Sequence, residues 1–220
     1  MIDDKRYHPP QEPYLDVIYH DNAILVLDKP SGLLSVAGKT PDLEDCLESR
    51  AKALFPKARI VHRLDMATSG IIVMAKTREA HRRLSMAFEK RDTDKRYLAK
   101  VSGVMMEDQG EINMPLICDW PNRPLQMVDH ENGKPSLTRW EVIKRDANTT
   151  LVALYPETGR THQLRVHLKE IGHPILGDDF YAPIGVYLEA DRLLLHAETL
   201  GFTHPETNER LKFSSVCPFE

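Results

Sequence analysis

The sequence predicts an α+β fold built on a mostly antiparallel sheet. Three observations carry that reading. Short β-branched or alternating apolar runs recur along the whole chain, turn chemistry joins most of them, and helical periodicity is confined to about three stretches. At 220 residues, with 41% hydrophobic and 28% charged side chains, the chain can bury a substantial core. One domain is the default and two lobes the variant to look for.

Residues 1–13 are polar and proline-containing and read as a flexible arm, with the folded domain spanning 14–220. Val17–His20 and Ala23–Leu27, joined through Asp21-Asn22, form a β-hairpin that Lys29-Pro30-Ser31-Gly32 ends. Thr40-Pro41 signals a helix start, with Thr40 as N-cap and Leu43, Leu47, Ala51 and Leu54 as its apolar face. Ile60-Val61 and Ile71–Met74 are strands, so His62–Gly70 must connect them. Thr77 can cap a second helix with Ala80, Leu84, Ala87 and Phe88 on one face. Lys95–Val101 alternates as a strand, with Tyr97, Ala99 and Val101 on the same side.

Further on, Glu111–Met114 is a strand, Asp119–Pro124 an irregular loop and Asn132-Gly133 a turn signal. Two strong strands follow, Leu137–Ile143 and Leu151–Tyr155. Gln163–Ile171 is a helix stopped by Gly172 and Pro174, and Arg165 in its first turn calls for an anionic partner, because the helix dipole disfavours a cation there. His162 and His167 are five apart, unlike an i, i+4 metal pair. Leu193–Ala197 is a buried run, and Leu200–Thr203 with Arg210–Phe213 form a last hairpin.

The start of the chain has no apolar signal-peptide core and no run approaches a membrane span, which predicts a cytoplasmic protein without a membrane partner. Cys46, Cys118 and Cys217 are far apart and form neither a disulfide framework nor a zinc ribbon. No metal is expected, and a monomer is the expected state. The formal net charge is −4, yet residues 76–100 carry nine basic side chains against four acids, +5, leaving −9 on the remaining 195. Read as a helix, that segment is either a solvated amphipathic face or a cationic stripe for nucleic acid, a matter of local field rather than total charge.

The chain's candidate chemistry lies between residues 59 and 75, where a polar loop between two strands presents Asp65, with Arg63 two positions before it and Thr68-Ser69-Gly70 as turn residues. Alone, such an Asp is a turn or cap residue. In context, His62-Arg63-Leu64-Asp65 with Thr68-Ser69-Gly70 resembles the signature of the RluA family of RNA pseudouridine synthases. Other stretches match the same family in order: Lys29-Pro30-Ser31-Gly32-Leu33, Lys95-Arg96-Tyr97-Leu98-Ala99, Gly159–His167, Gly172–Asp178 and Leu193–Ala197. Together they cover about residues 14 to 216. Ser136 departs from the pattern, standing where the family usually carries Ala.

The resemblance implies the family fold, a mixed sheet split by a central catalytic cleft, with no separate N-terminal RNA-binding domain. It implies isomerisation of uridine to pseudouridine in structured RNA: a site in large-subunit ribosomal RNA and one in the tRNA anticodon stem-loop, or a single RNA class. That chemistry exchanges no electrons and imports no group, so no cofactor is expected. Asp65 would be the catalytic carboxylate, Arg165 its cationic partner and Tyr97 the aromatic face that holds the detached base. Arg63 would fill the stack that a flipped uridine leaves. His62, Arg78, Arg82, Arg83, Lys95 and Arg160 would contact RNA. A hydrolytic glycosidase would want a second carboxylate, and outside the Asp65 loop the matched motifs offer only Asp178. A non-catalytic RNA-binding protein would have no need of Asp65, Tyr97 and Arg165 together.

Overall fold

A computed structural model describes residues 7–220, which fall into two compact units. The first comprises residues up to Thr93 together with Thr199–Ser215. The second comprises Asp94–Glu198 and Val216–Glu220. Residues 1–6 of the arm lie outside the described ones. Its remainder is tied down: the Tyr7 hydroxyl donates to the Asp45 carbonyl and accepts the Leu34 N–H, while the Pro10 carbonyl accepts from Arg50.

In the first unit β1 (Asp16–His20) pairs with β2 (Ile24–Lys29), and β2 with β4 (Ser69–Ala75), which also carries the short β3 (Arg59–Ile60). Period-two alternation puts Ile24, Val26, Ile71 and Val73 on one face and Leu25, Leu27, Ile72 and Met74 on the other. Both faces are covered. The first packs with Ala80 and Leu84 of α2 (Arg78–Glu89), the second with Leu47 and Ala51 of α1 (Leu47–Leu54). Each fully buried Val, Leu, Ile or Met among them contributes roughly 1.5–3 kcal/mol, which makes this double-sided layer the unit's rigid base.

The helix expected from Thr40 begins later. Pro41–Leu43 is a single 3-10 turn, Thr40 makes no side-chain cap, and α1 is capped by Cys46, whose sulfur accepts the Ser49 N–H. Between them Asp45 turns to bind Arg50 through two contacts of 2.7 Å, which the continuous helix would not permit. Thr77 does cap α2, accepting the Ala80 N–H.

The second unit is an antiparallel sheet in the order β5 (Thr93–Ser102), β10 (Thr149–Pro156), β9 (Leu137–Arg145), β6 (Gln109–Asn113). A separate hairpin joins β7 (Leu116–Cys118) to β8 (Gln126–Val128) through a 3-10 turn at Trp120–Asn122. Helix α3 runs Gln163–Glu170, and α4 is one turn, Ile184–Tyr187. Ser136 is buried and donates to the Lys134 carbonyl, so the departure from Ala is accommodated by a local hydrogen bond. Strand β11 (Leu195–Thr203) crosses the unit boundary, and its end pairs in the first unit with β12 (Arg210–Ser214).

Candidate active site

Asp65 opens a β-turn closed by the Thr68 N–H on its carbonyl, and its side chain is half-buried. The turn is fixed from outside by the segment after β2. The Met66 carbonyl accepts from the Gly32 N–H at 2.9 Å and from Lys29 Nζ at 3.0 Å, and the Ala67 carbonyl accepts the Ser31 hydroxyl at 2.7 Å. On the other side Ser35 Oγ both donates to the Leu64 carbonyl and accepts the Leu64 N–H. Lys29 is fully buried, and its ammonium is held by three carbonyls, those of Pro30, Leu33 and Met66. Three acceptors match its three protons, which makes burial of the charge tolerable. Gly32 has φ +85°, a conformation that lets its N–H turn onto Met66 and that a side chain would strain.

Around this turn Arg63 is exposed, while His62 is committed to the scaffold. Its Nε2 accepts the Val73 N–H from β4 at 3.1 Å, and its ring stacks on Phe88 of α2 with centroids 4.3 Å apart. That engagement makes His62 a support for the loop. Arg78, Arg82 and Arg83 are exposed along α2. The last two bind the same carboxylate, Glu79, through Arg82 Nε and Nη2 and Arg83 Nε, which holds that acid down at about 2, Arg82 acting most strongly. Two of the stripe's arginines thus share one of its four acids.

In the second unit Tyr97 is half-buried on β5, opposite Leu154 of β10, and Lys95 is half-buried on the same strand. Arg160 is exposed in the loop before α3, with Nε on the Pro135 carbonyl. Gln163 sets that loop: its carbonyl oxygen accepts Thr158 Oγ1 and the Arg160 N–H, and its amide donates to Leu137 and Thr138.

Arg165, in the first turn of α3, is 2% exposed and meets the anionic partner its position calls for. The carboxylate is Asp178, fully buried, which takes Nε at 2.9 Å and Nη2 at 2.5 Å, with Asp179 also 3.2 Å from Nη2. Asp178 Oδ1 further accepts the Phe180 and Tyr181 N–H groups, and the two rings lie against the guanidinium at 4.8 and 5.3 Å. Such a bidentate, aromatic-flanked arginine has one orientation. The Tyr181 hydroxyl accepts the Gln126 N–H and lies 2.7 Å from His162 Nδ1. His167 donates from Nε2 to the Met114 carbonyl and receives Thr138 Oγ1 at Nδ1; burial lowers its pKa, against the Met114 bond.

Asp65, Arg63 and His62 thus belong to the first unit, and Tyr97, Arg160 and Arg165 to the second. Sequence reasoning missed Asp178 and Tyr181 as the holders of Arg165, and Ser35 as the anchor of Leu64. The demand for an anion near Arg165 was the available signal, and thirteen residues of separation hid which one.

The model of the RNA pseudouridylate synthase family matches residues 23–170. The dual-specificity RNA pseudouridine synthase RluA of Vibrio cholerae is 51% identical over 213 residues, covering 97% of this chain and 87% of its own. The Escherichia coli K12 protein of that description is 50% identical over 216 residues, covering 98% and 99%. Among solved structures, human RNA pseudouridylate synthase domain containing 1 superposes with a TM-score of 0.81 at 29% identity, covering 97% of this chain and 87% of that one. With matches of that extent on both sequence and fold, the chain belongs to the RluA family of RNA pseudouridine synthases and is an enzyme that isomerises uridine in RNA.

Proposed function

We propose that this enzyme modifies one uridine of large-subunit ribosomal RNA and one in the tRNA anticodon stem-loop, with Asp65 as the catalytic carboxylate. The observation that carries the reading is identity at about half of all positions, over nearly the whole chain, with relatives bearing the dual-specificity name. A cytoplasmic enzyme is the reading that goes with these two proposed substrates.

The reaction breaks the C1′–N1 bond, turns the base, joins C5 to C1′ and releases the C5 proton. Asp65 serves it by adding to the sugar or by abstracting the proton that begins glycal formation. Either role needs a carboxylate whose position does not drift, and the anchoring of Leu64, Met66 and Ala67 supports that requirement. Tyr97 offers the detached base a face on which it can rotate, since stacking tolerates turning about the ring normal. Arg165, oriented by Asp178, supplies the fixed positive charge. Arg63 takes the place of the flipped uridine, at a cost of a few kcal/mol for unstacking, and Arg78, Lys95 and Arg160 contact the backbone.

Tritium release from C5-labelled stem-loops of the two RNAs tests the reading. Wild type should release tritium from both, and Asp65→Asn from neither, with RNA affinity kept within several-fold. Release from one RNA alone would reduce the proposal to single specificity, and turnover by Asp65→Asn at a tenth of the wild-type rate would remove Asp65 from the chemistry.

A further inference from the structure

A cleft of about 370 Å³ in the first unit lies outside the Asp65 turn, between α2 and the turn joining β11 to β12. Its walls are Arg82, Arg83 and Lys90 on one side and His204 and Asn208 on the other, over an apolar floor that includes Met86. The far wall is rigid. His204 is buried; its Nδ1 accepts the N–H groups of Glu206 and Thr207, so Nε2 carries the proton it gives to Asp21. Asn208, in the left-handed region at φ +61°, presents Oδ1 to Arg83 Nη1 at 3.1 Å.

Arg83 is therefore held at both ends, by Glu79 and by Asn208, and Arg82 sits bidentate on Glu79 with Nη1 against the Met86 sulfur. Glu79 receives three N–H bonds from two guanidiniums, which is the arrangement a phosphate oxygen pair would receive. Of the lining residues Asp92 is the acid, and Arg210 neutralises it. A cationic rim, an apolar floor and a volume at the lower end of the roughly 300–1,000 Å³ of ligand sites match one unpaired nucleotide.

We propose that this cleft is an auxiliary RNA site that takes one unpaired, non-target nucleotide, phosphate on Arg82, Arg83 and Lys90 and base on the Met86 floor, and that Glu79 competes with that phosphate for the two arginines. The proposal rests on the RNA-modifying reading above and adds to it a second point of grip. Glu79 holds the fork in shape when RNA is absent and limits how tightly RNA is held when present.

The test uses the full chain and a substrate stem-loop, with affinity measured by fluorescence anisotropy across salt concentrations alongside steady-state turnover. Arg82→Gln with Lys90→Gln should weaken binding several-fold, reduce the salt slope by about 0.7, the value for one phosphate on a single strand, and raise KM more than it changes kcat. Glu79→Gln should do the opposite and tighten binding. Abasic substitution along the RNA should weaken wild type at one non-target position and the double variant no further there. These are exposed helix positions, and unchanged thermal unfolding confirms the fold; Lys90→Gln alone serves as the milder variant. An unchanged slope in the double variant, or weaker binding by Glu79→Gln, overturns the proposal while leaving the enzyme's activity intact. Absence of RNA turnover by wild type would instead overturn the functional reading beneath it.

Discussion

Asp178→Asn is the sharpest test of how Arg165 is held. The substitution keeps the side chain's shape, removes its charge and turns one acceptor oxygen into a donor facing another donor. In the native unit Arg165 is 2% exposed and Asp178 fully buried, two guanidinium bonds join them, and the same carboxylate receives the Phe180 and Tyr181 N–H groups. Breaking a buried ion pair by removing one partner costs about 3–5 kcal/mol. Asp179, 3.2 Å from Nη2 but a third exposed, compensates partly, which points to the lower end, about 3 kcal/mol. With roughly 2–4 °C of Tm per kcal/mol at this chain length, the fall is about 6–12 °C. Urea denaturation and thermal unfolding measure it, with Asp179→Asn as the control, where a partly exposed partner predicts less than about 1 kcal/mol. A cost below 1 kcal/mol for Asp178→Asn, or equal costs for the two variants, would refute the view that Asp178 orients Arg165. Turnover should fall along with stability in Asp178→Asn and stay near wild type in Asp179→Asn.

Lys29→Met strands the Pro30 and Leu33 carbonyls and leaves Met66, in the Asp65 turn, with the Gly32 N–H alone; at about 1–3 kcal/mol per unsatisfied group it should cost at least about 2 kcal/mol by urea denaturation and lower kcat more than it raises KM. His167 prefers to stay neutral in the fold, through burial, so the unfolded chain takes up a proton near pH 6.5 that the native state refuses. Its contribution is complete above that pH and lost as pH falls through the lower folded pKa; His167→Gln should flatten the rise of unfolding free energy on the acid side of about pH 6.5, and an unchanged slope would assign the rise elsewhere. Arg63→Ala should lose far more activity on a structured stem-loop than on an RNA with the target in a flexible single strand, because a stack-filling residue matters only where a stack is vacated. Equal losses on both RNAs would make Arg63 an ordinary phosphate contact.

What the sequence made legible follows from where its signals are local. The alternation in β2 and β4 needs no partner to be read, and the Thr77 cap lies three residues from the N–H it satisfies. Thr40-Pro41 misled because the same pair starts a 3-10 turn as readily as a helix, and the true cap, Cys46, is not among the preferred capping types. The division into two units left little mark either, since two of the three passages between them lie inside β5 and β11, where strand patterning runs on without a linker, and the third falls at Ser215-Val216 close to the C-terminus.

The basic stripe is the more instructive case, because its internal pairing was legible from spacing. Nine cations against four acids, Glu79 among them, gives the net charge but not its partition: Glu79 stands three residues before Arg82 and four before Arg83, the two spacings at which helical neighbours pair. Spacing alone therefore assigns both arginines an internal counter-ion before any RNA arrives. A like argument applies to His62, whose place beside the Asp65 turn invited an RNA-contact role: a ring next to a β-strand start can spend its acceptor nitrogen on the strand's own backbone, and here it does so on Val73. In both cases the protein's own groups compete first for the side chains that charge and position assign to a ligand, so an RNA that engages them must share or displace those internal hydrogen bonds.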